Sequence, residues 1–274
     1  RYMWRLMILC GGLALASFLG AAENRSAAAR TNLVTYSGCC DASAGVALST
    51  NLFVVGDDED SVLRVYRRDA GGAPVQRIDM TRFLSLDPRK PESDLEAAAV
   101  LGDRIYWITS HGQNRLGKTR ESRHRLFATT VSFAENRVDL APVGRAYHFL
   151  LEDMELDPRL RPFRLAEAAR LPPKAPGGLN IEALCATEDR RLLIGFRSPT
   201  PGGQALLVPL LNPEEVVQGH LARFGAPLLL DLGGRGFRDM VGRGGRYLIV
   251  AGARDASKKS HLYVWDGGAE MPKL

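Results

Sequence analysis

Residues Glu92–Asn114 read ESDLEAAAVLGDRIYWITSHGQN. An acidic Asp94-Leu95-Glu96 enters a mostly apolar run, a polar turn follows at Gly102-Asp103-Arg104, and a second apolar run ends on Ser110-His111-Gly112. Two strand-length apolar runs across a short polar turn predict a β-hairpin. The same grammar recurs at 41–58 (DASAGVALSTNLFVVGDD), 180–198 (NIEALCATEDRRLLIGFRS) and 237–254 (FRDMVGRGGRYLIVAGAR). The turns there are Ser49-Thr50-Asn51, Glu188-Asp189-Arg190 and Arg243-Gly244-Gly245.

A third strand is predicted after each hairpin, at Val62–Tyr66, Arg125–Val131, Ala205–Leu210 and Leu262–Trp265. Three units carry a fourth, at Val75–Met80, Arg137–Pro142 and Pro227–Leu232. Repeated four-stranded antiparallel units predict an all-β protein, a β-propeller with four blades visible. A β-sandwich explains the strands but not the recurring acidic start. The fourth unit lacks its last strand. Either Asn32–Tyr36 supplies it and closes the ring, or the chain is truncated at its C-terminus and stops short of further blades. Residues 147–178 interrupt the repeat as a partly helical insertion, expected on the face where the innermost strands begin. Residues 212–224 read as a short helix on the opposite face.

Before the repeats stands an export-signal pattern. Arg1 and Arg5 precede an apolar or small run from Leu6 to Leu19, and Gly20-Ala21-Ala22 offers small residues for cleavage. The expected division is a signal peptide over 1–22, a linker over 23–30 and the propeller over 31–274, in a periplasmic or secreted bacterial protein. The apolar run is short for a membrane span, so no stable span remains after cleavage.

Cleavage removes Arg1 and Arg5 and takes the formal net charge from +5 to +3, a weak pull on anionic partners. The basic cluster Arg115, Lys118, Arg120, Arg123 and Arg125 has no interleaved aromatic residues, unlike a nucleic-acid reader, and reads as a solvated loop. No nucleic-acid partner is expected, and the chain reads as a monomer. Cys39, Cys40 and Cys185 have no zinc spacing. They read as small buried side chains, with one disulfide to Cys185 as the alternative.

In a blade the first strand lines the channel and the second returns beside it. Glu96 is therefore placed near Ser110 and His111, Glu182 near Arg197, and Asp239 near Arg254. The first unit has Ser43-Ala44-Gly45 at the equivalent place, with Asp57-Asp58-Glu59-Asp60 at the end of its second strand. Two readings of these converging charges stand. Each acid pairs with the base across its own hairpin and fixes register. Alternatively Glu96, Glu182, Asp239 and Asp58 hold Ca²⁺ or Mg²⁺, since hard cations take oxygen ligands, with His111 as general acid or base and Arg197, Arg254 and Ser110 binding an anionic ligand. The chain has no Gly-x-Ser-x-Gly elbow, His-Glu-x-x-His, P-loop or EF-hand motif.

The segments DLEAAAVLGDRIYWITSHGQN, SRHRLFATTV, GGLNIEALCATEDRRLLIGFRSP, ALLVPLLNP and LLLDLGGRGFRD together resemble a bacterial domain-of-unknown-function family, over Val34 to Asp266. The resemblance implies a propeller-like, often exported protein, and a chain continuing beyond the equivalent of Leu274. A more distant likeness is to the esterase-like phytase propellers, whose Asp-x-Glu-Gly matches Asp94-Leu95-Glu96 but not Ala97. The expected function is an exported module that binds a small molecule or an envelope protein at its channel mouth. The alternative is a divalent-metal-dependent phosphoester or ester hydrolase.

Overall fold

The computed structural model describes residues 33–114, 116–134, 137–253, 259–268 and 272–273. The expected signal peptide and linker lie outside the described residues, as do Arg115 and Arg254. The chain forms four antiparallel sheets in sequence order, the blades of a β-propeller. Blade 1 is β1 (Ala42–Ala47), β2 (Leu52–Asp57), β3 (Val62–Arg67) and β4 (Gln76–Asp79). Blade 2 is β5 (Leu95–Leu101), β6 (Arg104–Thr109), β7 (Leu126–Ala134) and β8 (Arg137–Tyr147). Blade 3 is β9 (Asn180–Ala186), β10 (Leu192–Ser198), β11 (Ala205–Leu210) and β12 (Leu228–Leu230). Blade 4 is β13 (Gly236–Arg243), β14 (Arg246–Gly252) and β15 (His261–Trp265).

The outer edge of blade 4 is met by Lys273, whose backbone exchanges hydrogen bonds of 2.7 and 2.8 Å with Val264. Tyr36 instead makes a parallel bridge to Gly72 in blade 1. The N-terminal segment therefore flanks the first blade and does not complete the fourth.

Each innermost strand carries a β-bulge at the same place. Register with the second strand slips between Ala42 and Ala44, Leu95 and Ala97, Ile181 and Ala183, and Phe237 and Asp239. The extra residues are Ser43, Glu96, Glu182 and Arg238. A bulge re-aims the side chain it carries and increases local twist. Aligned on it, the blades show one packing rule: the apolar residue before the bulge reaches back to the preceding blade. Leu95 lies where a Cβ on Gly56 would come within 2.3 Å of its Cδ2, and Phe237 where a Cβ on Gly195 would come within 2.8 Å of its Cγ. Glycine at 56 and 195 is thus the room for the neighbour's anchor.

Three cores join successive blades. Ala44, Val46, Val54 and Leu63 meet Leu95, Ile105, Trp107 and Phe127. Ala97, Tyr106 and Ile108 meet Ile181, Leu184 and Ile194. Ala183, Cys185, Leu193 and Leu207 meet Phe237, Met240, Ile249 and Trp265. Among the described residues no such core joins blade 4 to blade 1. The outer face of blade 1, with Phe53, Val55 and Tyr66, is covered by Tyr36, Cys39 and Ala42.

The helical insertion, with α1 (Leu150–Leu156) and α2 (Leu165–Ala168), buries Leu150, Leu151, Met154, Leu160 and Leu165 in the core between blades 2 and 3. Burial of such side chains contributes about 1.5–3 kcal/mol each, enough to hold short helices with no side-chain caps. Asp153 ties it to α3 (Pro213–Val216) and the segment after it, accepting from the Ala222 N–H at 2.7 Å and from the Tyr147 hydroxyl. The insertion and the 212–224 segment therefore meet, where topology alone put them on opposite faces.

Candidate mouth site

The innermost strands of blades 1–2, 2–3 and 3–4 lie side by side, so their bulge residues converge. Two residues earlier on each strand stand Asp41, Asp94, Asn180 and Gly236. The mouth thus has two tiers: Asp41, Asp94, Asn180 and Gly236 outside, and Ser43, Glu96, Glu182 and Arg238 within.

Glu182 is buried and fully engaged. Its Oε1 accepts from Arg197 Nη1 and from Asn180 Nδ2, both at 2.6 Å, and its Oε2 accepts from Arg238 Nη1 at 2.8 Å. The hairpin pairing expected of Glu182 and Arg197 is present, with a second guanidinium arriving from the next blade. Arg238, not Asp239, occupies the bulge position of blade 4. Asp239 is exposed, and its Oδ1 accepts from the Met240 N–H at 2.8 Å. The sequence offered the sign of this shift: in Asp94-Leu95-Glu96, Asn180-Ile181-Glu182 and Gly236-Phe237-Arg238 the apolar middle residue marks the alignment, whereas alignment on acids slips blade 4 by one.

Asp94 adopts a left-handed conformation (φ +58°) that turns its carboxylate to Arg123, at 2.7 Å from Nη1. Burial raises its pKa to about 6, opposed chiefly by Arg123. Ser110, expected to bind ligand, is buried, and its hydroxyl accepts from the Gly112 N–H at 3.3 Å. Arg123 and Arg125 are structural too. Arg125 is 4% exposed and donates from Nε to the Leu84 carbonyl at 3.1 Å, so part of the basic cluster is core and not solvated loop.

His111 departs from its expected role. It is fully buried, left-handed (φ +55°) and stacked on His124 at 5.5 Å between ring centroids. Its Nδ1 lies 2.8 Å from the Thr109 carbonyl, and Nε2 is buried without a partner. Burial and the neighbouring His124 lower its pKa to about 3, so it stays neutral where a general acid or base must titrate. Arg197, expected to bind an anion, donates to Glu182 from Nη1 and to the Ala253 carbonyl from Nε.

What remains in the mouth is unbalanced acid. Among the described residues no hydrogen bond or ion pair reaches the half-buried Glu96. Burial, then Glu182, Asp94 and Asp58, hold its carboxyl well above the usual range. Asp58 is raised to about 8 by burial and then by Asp41 and Asp94, and its Oδ1 is buried without a partner. These groups do not fit the expected Ca²⁺ or Mg²⁺. Among the described residues no three His, Cys, Asp or Glu side chains are placed to hold a metal ion, and both Glu182 oxygens are already taken. The three described cysteines are free: Cys185 is buried, but Cys39 is half-buried and Cys40 exposed, unlike the expectation for all three.

Among curated proteins none matches this chain. Several solved structures are similar. The extracellular domain of a protein described as a hybrid two component system from B. thetaiotaomicron shares 11% identity, over 85% of this chain and 22% of that one, with a TM-score of 0.38. A bifunctional GH43-CE protein of Bacteroides eggerthii shares 11%, over 88% and 28%, at 0.41. The PQQ-bound aldose sugar dehydrogenase of Streptomyces coelicolor shares 11%, over 85% and 96%, at 0.34. The chain spans about a quarter of the length of the first two. Residues 142–273, which take in the end of β8, the helical insertion and blades 3 and 4, are similar to the family described as Protein of unknown function (DUF3616).

Proposed function

We propose that this chain is an exported ligand-binding propeller whose site is the acidic channel mouth. One observation carries the reading: Glu96 stands on a bulge that aims it into the mouth, half-buried, with no hydrogen-bond or ion-pair partner among the described residues. A group that loses hydration without gaining a partner is destabilising, and such groups concentrate where a ligand supplies what is missing. Export rests on the N-terminal pattern from Arg1 to Ala22. No helix among the described residues is long and apolar enough to cross a membrane. The hydrolase alternative loses its support here, because His111 is buried and neutral and no metal-binding cluster accompanies it among the described residues.

The test is a thermal-unfolding screen of the chain and its Glu96→Gln variant against small amines, sugars, carboxylates and phosphoesters. A compound that raises the midpoint of the wild type and not of the variant supports the mouth as a binding site, since a ligand bound only by the folded state stabilises it by mass action. A screen in which every shift survives in Glu96→Gln removes the mouth from consideration.

A further inference from the structure

Three groups at the mouth have no donor among the described residues: no hydrogen bond or ion pair reaches the Glu96 carboxylate, and Asp58 Oδ1 and Asn180 Oδ1 are buried without a partner. Asn180 is only 7% exposed, and its Nδ2 donates to Glu182 Oε1 at 2.6 Å. That bond fixes the amide, since a flipped Asn180 would set its carbonyl against a carboxylate. The carbonyl is therefore the end left without a partner, in the outer tier beside Asp94. Glu96 lies within electrostatic reach of Glu182, Asp94 and Asp58. The nearby cations are spoken for: Arg197 and Arg238 on Glu182, and Arg123 on Asp94.

The unmet need is thus for hydrogen-bond donors that carry positive charge. A divalent metal needs short ligand distances and a tight oxygen set, and no such set is present among the described residues. An ammonium group carries three donors and accepts looser spacing. We propose that the mouth binds a primary ammonium group, with Glu96 as its counter-ion and Asp58 Oδ1 and Asn180 Oδ1 as further acceptors. This names the ligand class for the site proposed above and rests on that reading. The cation favours the ionised form of Glu96, so binding releases protons at neutral pH.

The probe is 1,4-diaminobutane, titrated calorimetrically into the chain, with 1,4-butanediol, calcium chloride and sodium acetate as comparisons. The expected result is saturable diamine binding, with the diol weaker by about tenfold or more, as loss of a charge-assisted hydrogen bond implies. Glu96→Gln is expected to weaken the diamine by about tenfold or more, and the apparent enthalpy is expected to vary with the ionisation enthalpy of the buffer. Near-ultraviolet circular dichroism checks the fold of that variant, and Asp58→Ala, which removes the second acceptor, provides an independent weakening. The proposal is overturned if diol or acetate binds as tightly as diamine, if diamine affinity is unchanged in both variants, or if calcium binds and diamine does not. Absence of diamine binding beside a Glu96-dependent hit of another class in the thermal screen overturns the ammonium and leaves the mouth. Absence of both overturns both.

Discussion

Glu182 shows how one residue can serve two blades. Its carboxylate is 6% exposed on the side chain and holds guanidinium groups from its own hairpin and from the next blade. Glu182→Gln removes a charge both need, and breaking a buried pair from one side costs about 3–5 kcal/mol. Urea unfolding of the variant is expected to show a loss of that order. Asp58 predicts a pH dependence. Its folded pKa, raised to about 8, lies above its ordinary 3.8, so the folded state holds that proton more tightly. Its contribution to stability is full below about 3.8 and falls as pH rises toward about 8. Asp58→Asn is expected to flatten this slope and to be more stable than wild type at pH 8, read from urea midpoints across pH 4–8. His111 acts in the opposite sense: lowered to about 3, it costs stability as pH falls below its ordinary 6.5. At this scale the sequence announced Glu96, Glu182 and Arg197, because type and spacing alone put acids at strand starts and a base opposite. It concealed Arg238, Asn180 and the burial of His111, because a bulge changes which residue faces inward without changing the apolar pattern around it.

The strands were legible as elements because each alternates or runs apolar between polar turns. Ala205–Leu210 was expected and found with the same bounds, while β7 and β8 run longer than expected, to Ala134 and Tyr147. The insertion was less legible. Its helices are held by tertiary contacts, which local sequence does not display. Gly195 likewise reads as a weak point in a strand, yet it is where blade 4 docks. Gly195→Ala would set a Cβ 2.8 Å from Phe237 Cγ and 2.9 Å from Ala183 Cβ. Overpacking of this kind typically costs about 1–3 kcal/mol, and the variant is expected to show it in chemical denaturation. The smaller Phe237→Leu in the same background is expected to recover part of the loss.

Taken whole, the described residues form four sheets but three cores between them. The bulge alignment makes this measurable. Val46, Ala99 and Cys185 occupy equivalent positions and are 8%, 6% and 4% exposed, whereas Val241 in blade 4 is 55% exposed. Leu262 and Val264 on the same sheet are 51% and 52% exposed. Val46→Lys is therefore expected to destabilise by several kcal/mol, as burial of an unpaired charge does, while Val241→Lys stays within about 0.5 kcal/mol, as for a surface substitution. Amide exchange should follow the same order, with β15 opening before the strands of blades 2 and 3, which are packed on both faces. Equal costs at Val46 and Val241 would show that blade 4 is covered in solution.

The shared carboxylate of Glu182 also limits how this repeat can be recombined. A gene duplication that copied blade 3 without blade 4, or an excision of blade 4 alone, would leave Glu182 one cation short while every strand still read as foldable. Blades 3 and 4 are therefore coupled through Glu182, and a graft or swap should move both or carry the Arg238 equivalent with Glu182.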